Sequence, residues 1–268
     1  MIMIKNRANK VKANLERGAV SCGFYIQMNN PESVEIAGAV GADYVVIDGQ
    51  HGSFSLESVT SMIRAAEAAG VSPIVRVPDH RPSGIMSALD AGAMGVLVPD
   101  VATAEQAKAV VSAARYRDGD NGGSRGACPS TRAAWHQTAD WGGFVRWANA
   151  EISVWVIIES LAGVENIEAI AAVPGVDALI LGTFDLSHEM GLFGQRQHEF
   201  IERAFDRAIA ACKANGVQAV RSVRAVTPED IKTERVFFER QGVSIFHLGG
   251  DRRLMVNAMQ GRMRSFGG

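Results

Sequence analysis

Eight short apolar runs, each followed by a stretch with helical periodicity, recur from one end of the chain to the other, and no other feature restricts the possible folds as much. The runs cover residues 21–27, 44–48, 73–77, 95–99, 154–159, 178–182, 217–220 and 244–249. Several are continuous rather than alternating, as in Tyr44-Val45-Val46-Ile47, the pattern of a strand buried on both faces. The helical stretches cover 31–40, 56–69, 82–91, 104–115, 140–150, 163–172, 198–215 and 228–241. Their starts are marked by Asn30-Pro31, by Thr103 before Ala104-Glu105 and by Thr227-Pro228-Glu229, where a capping side chain precedes proline or an acidic residue. Strand and helix in repeated alternation imply parallel β/α units. A closed (β/α)8 TIM barrel, an α/β fold in one domain over residues 1–268, fits both the count and the length. The alternative is an open doubly wound sheet, but FYIQMNNPES stands at the end of the first run where a dinucleotide fold would carry GxGxxG. Residues 1–18 read as a basic helical segment ahead of the barrel. Residues 253–266 read as a closing helix whose Leu254, Met255, Ala258 and Met259 cover either their own barrel or a neighbouring subunit.

Composition excludes several function classes. With 21% charged residues and a formal net charge of −2, the chain has no basic excess for a nucleic acid. Its three cysteines, Cys22, Cys128 and Cys212, form neither a CxxC pair nor a metal-ligand cluster, and their odd count argues for reduced thiols. Cys128 is expected to be a small buried thiol. No apolar run approaches the ~18 residues of a membrane span, and the N-terminal segment lacks the apolar core of a signal peptide. The expectation is a cytoplasmic protein without a membrane partner. The glycine-rich section 116–135 breaks the alternation and reads as a functional loop or a mobile one.

In such a barrel the catalytic groups sit at the C-terminal ends of strands. Here Asp48, Gln50 and His51 end the second run, Arg76 the third, Asp100 the fourth and Glu159 the fifth, and Asp185 lies just past the sixth. Each has an ordinary structural reading: a carboxylate caps the next helix, an arginine snorkels, a histidine packs. Together they point to chemistry. Glu159 and Asp185, from neighbouring strands, suit a hard divalent cation that leaves positions for water and an oxygen-chelating substrate. Arg76 offers a planar donor for a carboxylate or a developing enolate oxygen. His51 is the natural base, since histidine is the side-chain type whose ordinary pKa of ~6.5 lies closest to working pH. No lysine ends a strand, which argues against an imine route.

The order DGQHG, PIVRVP, LDAG with VLVP, a glycine-rich loop with SRG, VIIESLAG and LGTFDLS resembles the HpcH/HpaI aldolase family, and the likeness runs from Gly23 to the turn Gly249-Gly250-Asp251. The resemblance implies a phosphoenolpyruvate/pyruvate-type barrel with class II aldolase activity, reversibly cleaving a 4-hydroxy-2-oxo acid to pyruvate and an aldehyde. It also implies that Glu159 and Asp185 hold Mg2+, Mn2+ or Co2+, and that His51 pairs with Asp90 and acts through a metal-bound water. Arg76 would touch the pyruvate oxygens, and the main chain around Gly182, Thr183 and Phe184 would hold the pyruvyl carboxylate. A homo-oligomer, from dimer to hexamer, is implied as well, with the C-terminal helix packed on a neighbour.

The chain departs from the family pattern at three places. Gln50 stands where glutamate is commonest, which makes the surroundings of the metal one charge less anionic and adds a donor toward substrate or water. Ile157 replaces a glutamine two residues before Glu159, and Phe184 replaces a small residue, reshaping the pyruvate pocket. Arg125 and Arg221 are candidates for a distal acidic or hydroxylated group, against ordinary surface or capping roles. His188 is expected to face solvent, and Trp135 and His136 either cover the site or simply pack. Rival readings are an enolate lyase acting on acyl-CoA, an oxaloacetate decarboxylase, and a non-catalytic paralogue that binds metal or a small acid.

Overall fold

The computed structural model describes residues 7–267, and its eight parallel strands close into a barrel in chain order. A short helix, α1 (Lys10–Glu16), precedes β1 (Ser21–Ile26), α2 (Pro31–Ala39), β2 (Tyr44–Asp48), α3 (Leu56–Ala68), β3 (Ser72–Arg76) and α4 (Pro82–Asp90). Then come β4 (Gly95–Val98), α5 (Ala104–Ala114), α6 (Trp141–Glu151), β5 (Ser153–Ile158), α7 (Leu161–Glu165), α8 (Ile167–Ala171), β6 (Ala178–Leu181) and α9 (Thr183–Glu189). The chain ends with α10 (Glu199–Asn215), β7 (Gln218–Ser222), α11 (Pro228–Gln241), β8 (Ile245–Gly250) and α12 (Asp251–Gly267). The fold is a TIM barrel. Among the described residues no helix is long and apolar enough to cross a membrane.

Every strand lies within two residues of its expected span. The stretch 163–172 is not one helix: it breaks at Asn166, whose Nδ2 donates to the carbonyls of Ala102 (2.9 Å) and Ala162 (3.0 Å), pulling the chain out of helical geometry. The short helix α9 is additional, and Cys128 is exposed rather than buried.

The period-two alternation of each strand divides two cores. Val45, Ile47, Val75, Val96, Val156 and Ile158 point outward to the helices, whereas Tyr44, Val46, Ile74, Leu97, Trp155, Ile157 and Ile180 fill the barrel. Tyr44 is the largest inward commitment after Trp155: its ring meets Trp155 edge-on at 5.2 Å, and its hydroxyl donates to the Phe246 carbonyl at 2.9 Å. At the end where the strands begin, α1 acts as a plug. Val11 joins the interior core, and buried Asn9 caps the helix while its Nδ2 donates to Met94 O, Glu151 O and Ser153 Oγ. At the seam between β1 and β8 the register shifts between Gly23 and Tyr25, and the Asp251 carboxylate accepts the N–H groups of Gln27 (2.9 Å) and Met28 (3.1 Å).

Gly23 pairs with Tyr44, and a Cβ there would lie 2.8 Å from the tyrosine ring and closer still to its carbonyl. Gly23→Ala should therefore cost about 1–3 kcal/mol through overpacking, measured by urea denaturation. An unchanged midpoint would show that the barrel interior has slack at this point.

Candidate active site

The same alternation that fills the barrel carries its inward face onto the C-terminal rim. Asp48 lies two residues past Val46, Arg76 two past Ile74, Glu159 two past Ile157, Tyr25 two past Gly23 and His247 two past Ile245. A buried strand ends in polar residues here because its inner row has reached the mouth.

Asp48 and Arg76 are paired across the β2–β3 register. Arg76 Nε donates to Asp48 Oδ1 at 2.8 Å and Nη2 to Oδ2 at 2.5 Å, a bidentate fork. Gln27 Nε2 donates to Oδ2 (2.8 Å), and the backbone N–H groups of Gln50 (3.2 Å) and His51 (3.1 Å) donate to Oδ1. Burial pushes the Asp48 carboxyl up, but the hydrogen bonds and charge of Arg76, with those of His51 N–H and Gln27, outweigh it and hold the group below the usual carboxylate range. Arg76 also lies over the Tyr25 ring at 5.1 Å. Its Nη1 has no protein partner among the described residues and remains available to a ligand.

Glu159 sits opposite this pair in character. Burial, and then the negative charge of Asp185, push its carboxyl up to about 7. Asp185 is exposed in the first turn of α9. Glu159 Oε1 accepts the N–H of Asp100 at 2.8 Å, and Asp100 holds a left-handed backbone (φ 52°), a strained conformation that aims its N–H at the carboxylate. Gly182 makes the room: a Cβ there would stand 2.5 Å from Glu159 Cβ and 2.7 Å from Oε2.

A divalent cation fits this donor set in one specific way. Among the described residues no three His, Cys, Asp or Glu side chains converge on a metal position. Two carboxylates that repel one another, open to solvent on the Asp185 side, match a Mg2+-type ion held by one or two carboxylates with water and substrate oxygens completing its shell.

The expected pairing of His51 with Asp90 is not formed within the chain. His51 is exposed three residues past the end of β2, whereas Asp90 ends α4 and leads into the start of β4, on the opposite rim. There Asp90 accepts Arg125 Nη2 at 2.6 Å. Arg125 is buried on the Tyr116 ring at 4.3 Å, so it does not face this chain's barrel mouth. The glycine-rich section 116–135 is folded against that rim, with Arg125 N–H on the Arg115 carbonyl and Arg115 Nη1 on Ile152 O just before β5. Trp135 lies under Arg7 beside it, and His136 follows in the same left-handed turn. Phe184 does not narrow the mouth: it is 57% exposed and turns toward His188, itself exposed and edge-on to Phe193. Gln50 Oε1 is buried without a partner among the described residues. Arg221 is pinned between Glu234 (3.0 Å) and the Phe238 ring (4.0 Å), holding the loop after β7.

Three residues escaped the sequence reading. Tyr25 and Gln27 continue the inward row of Gly23, and His247 that of Ile245, so strand register was the signal that could have found them. Buried His247 shares a hydrogen bond of 2.9 Å between Nδ1 and Tyr44 Oη, leaving Nε2 without a partner among the described residues.

Two outcomes are expected. Asp48→Asn should remove about 3 kcal/mol or more from unfolding in urea, because Arg76 keeps a largely buried charge without its counterion; a variant as stable as the parent would show the pair to be dispensable. Burial, and then the Arg76 charge, push His247 down to about 3, so the folded protein resists a proton that the unfolded chain accepts near ~6.5. Stability is then full above that upper value and declines as pH falls toward the lower one, with a slope of up to about 1.4 kcal/mol per unit. Between about pH 7 and about pH 5 the parent should lose roughly 2 kcal/mol more than His247→Gln. Parallel pH profiles would mean the ring titrates freely.

Comparison with known proteins agrees with this architecture. Residues 21–258 match the family model described as HpcH/HpaI aldolase/citrate lyase. The chain is 40% identical over 215 residues to a 4-hydroxy-2-oxovalerate aldolase of Novosphingobium aromaticivorans, covering 79% of each. It is 37% identical over 209 residues to a 5-keto-4-deoxy-D-glucarate aldolase of Escherichia fergusonii, covering 78% of this chain and 79% of the relative. A crystal structure of a family protein from Burkholderia cenocepacia J2315 superposes with a TM-score of 0.87 at 28% identity, covering 97% of this chain and all of the other. The citrate synthase SbnG superposes with a TM-score of 0.84 at 30% identity, covering 95% of this chain and 96% of the other. With a family match over most of its length and a barrel of the same shape, the chain belongs to the HpcH/HpaI aldolase/citrate lyase family.

Proposed function

We propose that this carbon–carbon lyase is a divalent-metal-dependent pyruvate aldolase that reversibly cleaves a 4-hydroxy-2-oxo acid to pyruvate and an aldehyde. The observation that carries the reading is Glu159, a desolvated carboxyl held against the charge of Asp185 within the field of Arg76. The two relatives named above carry the names of oxo-acid aldolases, which supports the same reaction class.

Glu159 and Asp185 would hold the cation, which when bound supplies Lewis acidity to the 2-oxo group of the substrate. The chain's own residues do the rest. Arg76, fixed by its fork on Asp48, presents Nη1 to the oxygen that gains negative charge as the C3–C4 bond breaks. Among the described residues no side chain caps the start of α9, so the N–H groups that follow Gly182, at Thr183 and Phe184, are free to receive the pyruvyl carboxylate. His51, exposed on the rim, takes the proton of the 4-hydroxyl as the C3–C4 bond breaks and the aldehyde forms, and returns it to C3 to give pyruvate. The unpaired carbonyl of Gln50 supports a contact to substrate or water.

Pyruvate release from 4-hydroxy-2-oxo acids should stop on treatment with EDTA and return with Mg2+, Mn2+ or Co2+. Glu159→Ala and Asp185→Ala should each lower kcat/KM by more than about a hundredfold with the fold retained, a larger loss than removal of an outer hydrogen-bond partner causes. Full turnover in EDTA, or in either variant, would exclude the metal role. The exposed Val256, Met259, Met263 and Phe266 of α12 support a homo-oligomer in which a second copy covers this helix. Met259→Glu with Phe266→Glu should lower the sedimentation mass, and a parent that is already monomeric would refute the assembly.

A further inference from the structure

A cavity of about 340 Å3 lies beside the candidate site, walled by the C-terminal ends of β6, β7 and β8, the loop after β7 and the start of α12. It shares walls with the site. Thr183 lines it, as does Tyr25, whose ring carries Arg76 at 5.1 Å and meets His247 at 4.5 Å. Among the described residues four arginines line the cavity and no acidic residue does.

Two of these arginines are already answered. Arg221 pairs with Glu234 at 3.0 Å and Arg224 with Glu202 at 2.7 Å, while Glu234 also accepts the N–H groups of Arg224 and Ala225. Arg196 and Arg253 have no carboxylate partner among the described residues. Partial burial, and then the charges of Arg224 and Arg253, hold Arg196 below the usual arginine range, with no carboxylate near enough to Arg196 among the described residues to offset them. The cavity also exposes polar groups that accept or donate, Ser222 and Asn257, and is backed by His247 with its unpaired Nε2.

We propose that this cavity is a subsite for a phosphoryl group at the far end of the aldehyde half of the substrate, held by Arg196 and Arg253. The inference rests on the aldolase reading and narrows its substrate class. Two uncompensated guanidinium charges balance a phosphate monoester, which carries about −1.5 to −2 at neutral pH. A single carboxylate would leave one of them unbalanced. Guanidinium forks match phosphate oxygens in geometry, and the volume lies at the small end of the ~300–1,000 Å3 typical of ligand sites, enough for a short phosphorylated chain.

The test compares aldol addition of pyruvate to glyceraldehyde 3-phosphate, glyceraldehyde and succinate semialdehyde by the metal-loaded enzyme. The phosphorylated aldehyde should show kcat/KM about tenfold or more above glyceraldehyde, the scale of one charge-assisted hydrogen bond. Arg196→Gln and Arg253→Gln should each erase that preference while leaving glyceraldehyde turnover unchanged, and Arg196→Lys should restore part of it. Equal rates for the two glyceraldehydes, a greater gain for the carboxylated aldehyde, or variants that slow every aldehyde alike would each overturn the assignment. Binding of inorganic phosphate to metal-free protein, followed by phosphorus NMR, gives a readout that does not depend on turnover. If no aldehyde reacts at all, the aldolase reading has failed; phosphate binding that Arg196→Gln abolishes would still uphold the anion site, and its absence would overturn that too.

Discussion

The fork between Asp48 and Arg76 is the constraint on which the rest of the mouth depends. Asp48 is completely buried, and a buried carboxylate is tolerable only when its lone pairs are filled; here a guanidinium, the Gln27 amide and two backbone N–H groups fill them. Those two N–H groups belong to Gln50 and His51, so the carboxylate that fixes the arginine also shapes the turn that presents the candidate base. Tyr25 packs on the other face of the guanidinium. One ion pair thereby sets an arginine, a histidine-bearing loop and an aromatic wall.

Across the mouth the electrostatics run the other way. Asp48 is over-satisfied and acidic, while Glu159 is under-satisfied, with a single backbone N–H at 2.8 Å and a like charge nearby. Groups of one chemical type with divergent environments are how a site divides its labour. The Asp48 carboxylate is locked as scaffold, and the Glu159 carboxylate is left in need of positive charge. Gly182 and the left-handed Asp100 maintain that state, the first by yielding space and the second by holding a strained backbone.

Strand positions, the order of the barrel and most rim residues were legible in the sequence because each follows from period-two burial and from where polar residues interrupt it. Asp48, Arg76 and Glu159 could be placed at a mouth without coordinates for that reason. The partner of Arg76 could not, since Asp48 and Arg76 lie 28 positions apart and only the β2–β3 register brings them opposite. The pairing of His51 with Asp90, implied by the resemblance, is not formed within the chain, because the end of a helix lies on the rim opposite the end of a strand. Arg196, Arg224 and Arg253 come from three separate elements with no shared pattern, and they meet only through folding. Phe184 was expected to reshape the pyruvate pocket because it replaces a small residue, but its ring lies exposed on the outer side of α9.

The α1 plug gives the barrel traffic rules. With Val11 and Asn9 sealing one end and Tyr44, Trp155 and Leu97 filling the axis, nothing can pass through the centre. Reactant and both products must share a single doorway. Whatever sits deepest at the mouth must leave by the same opening through which everything else entered.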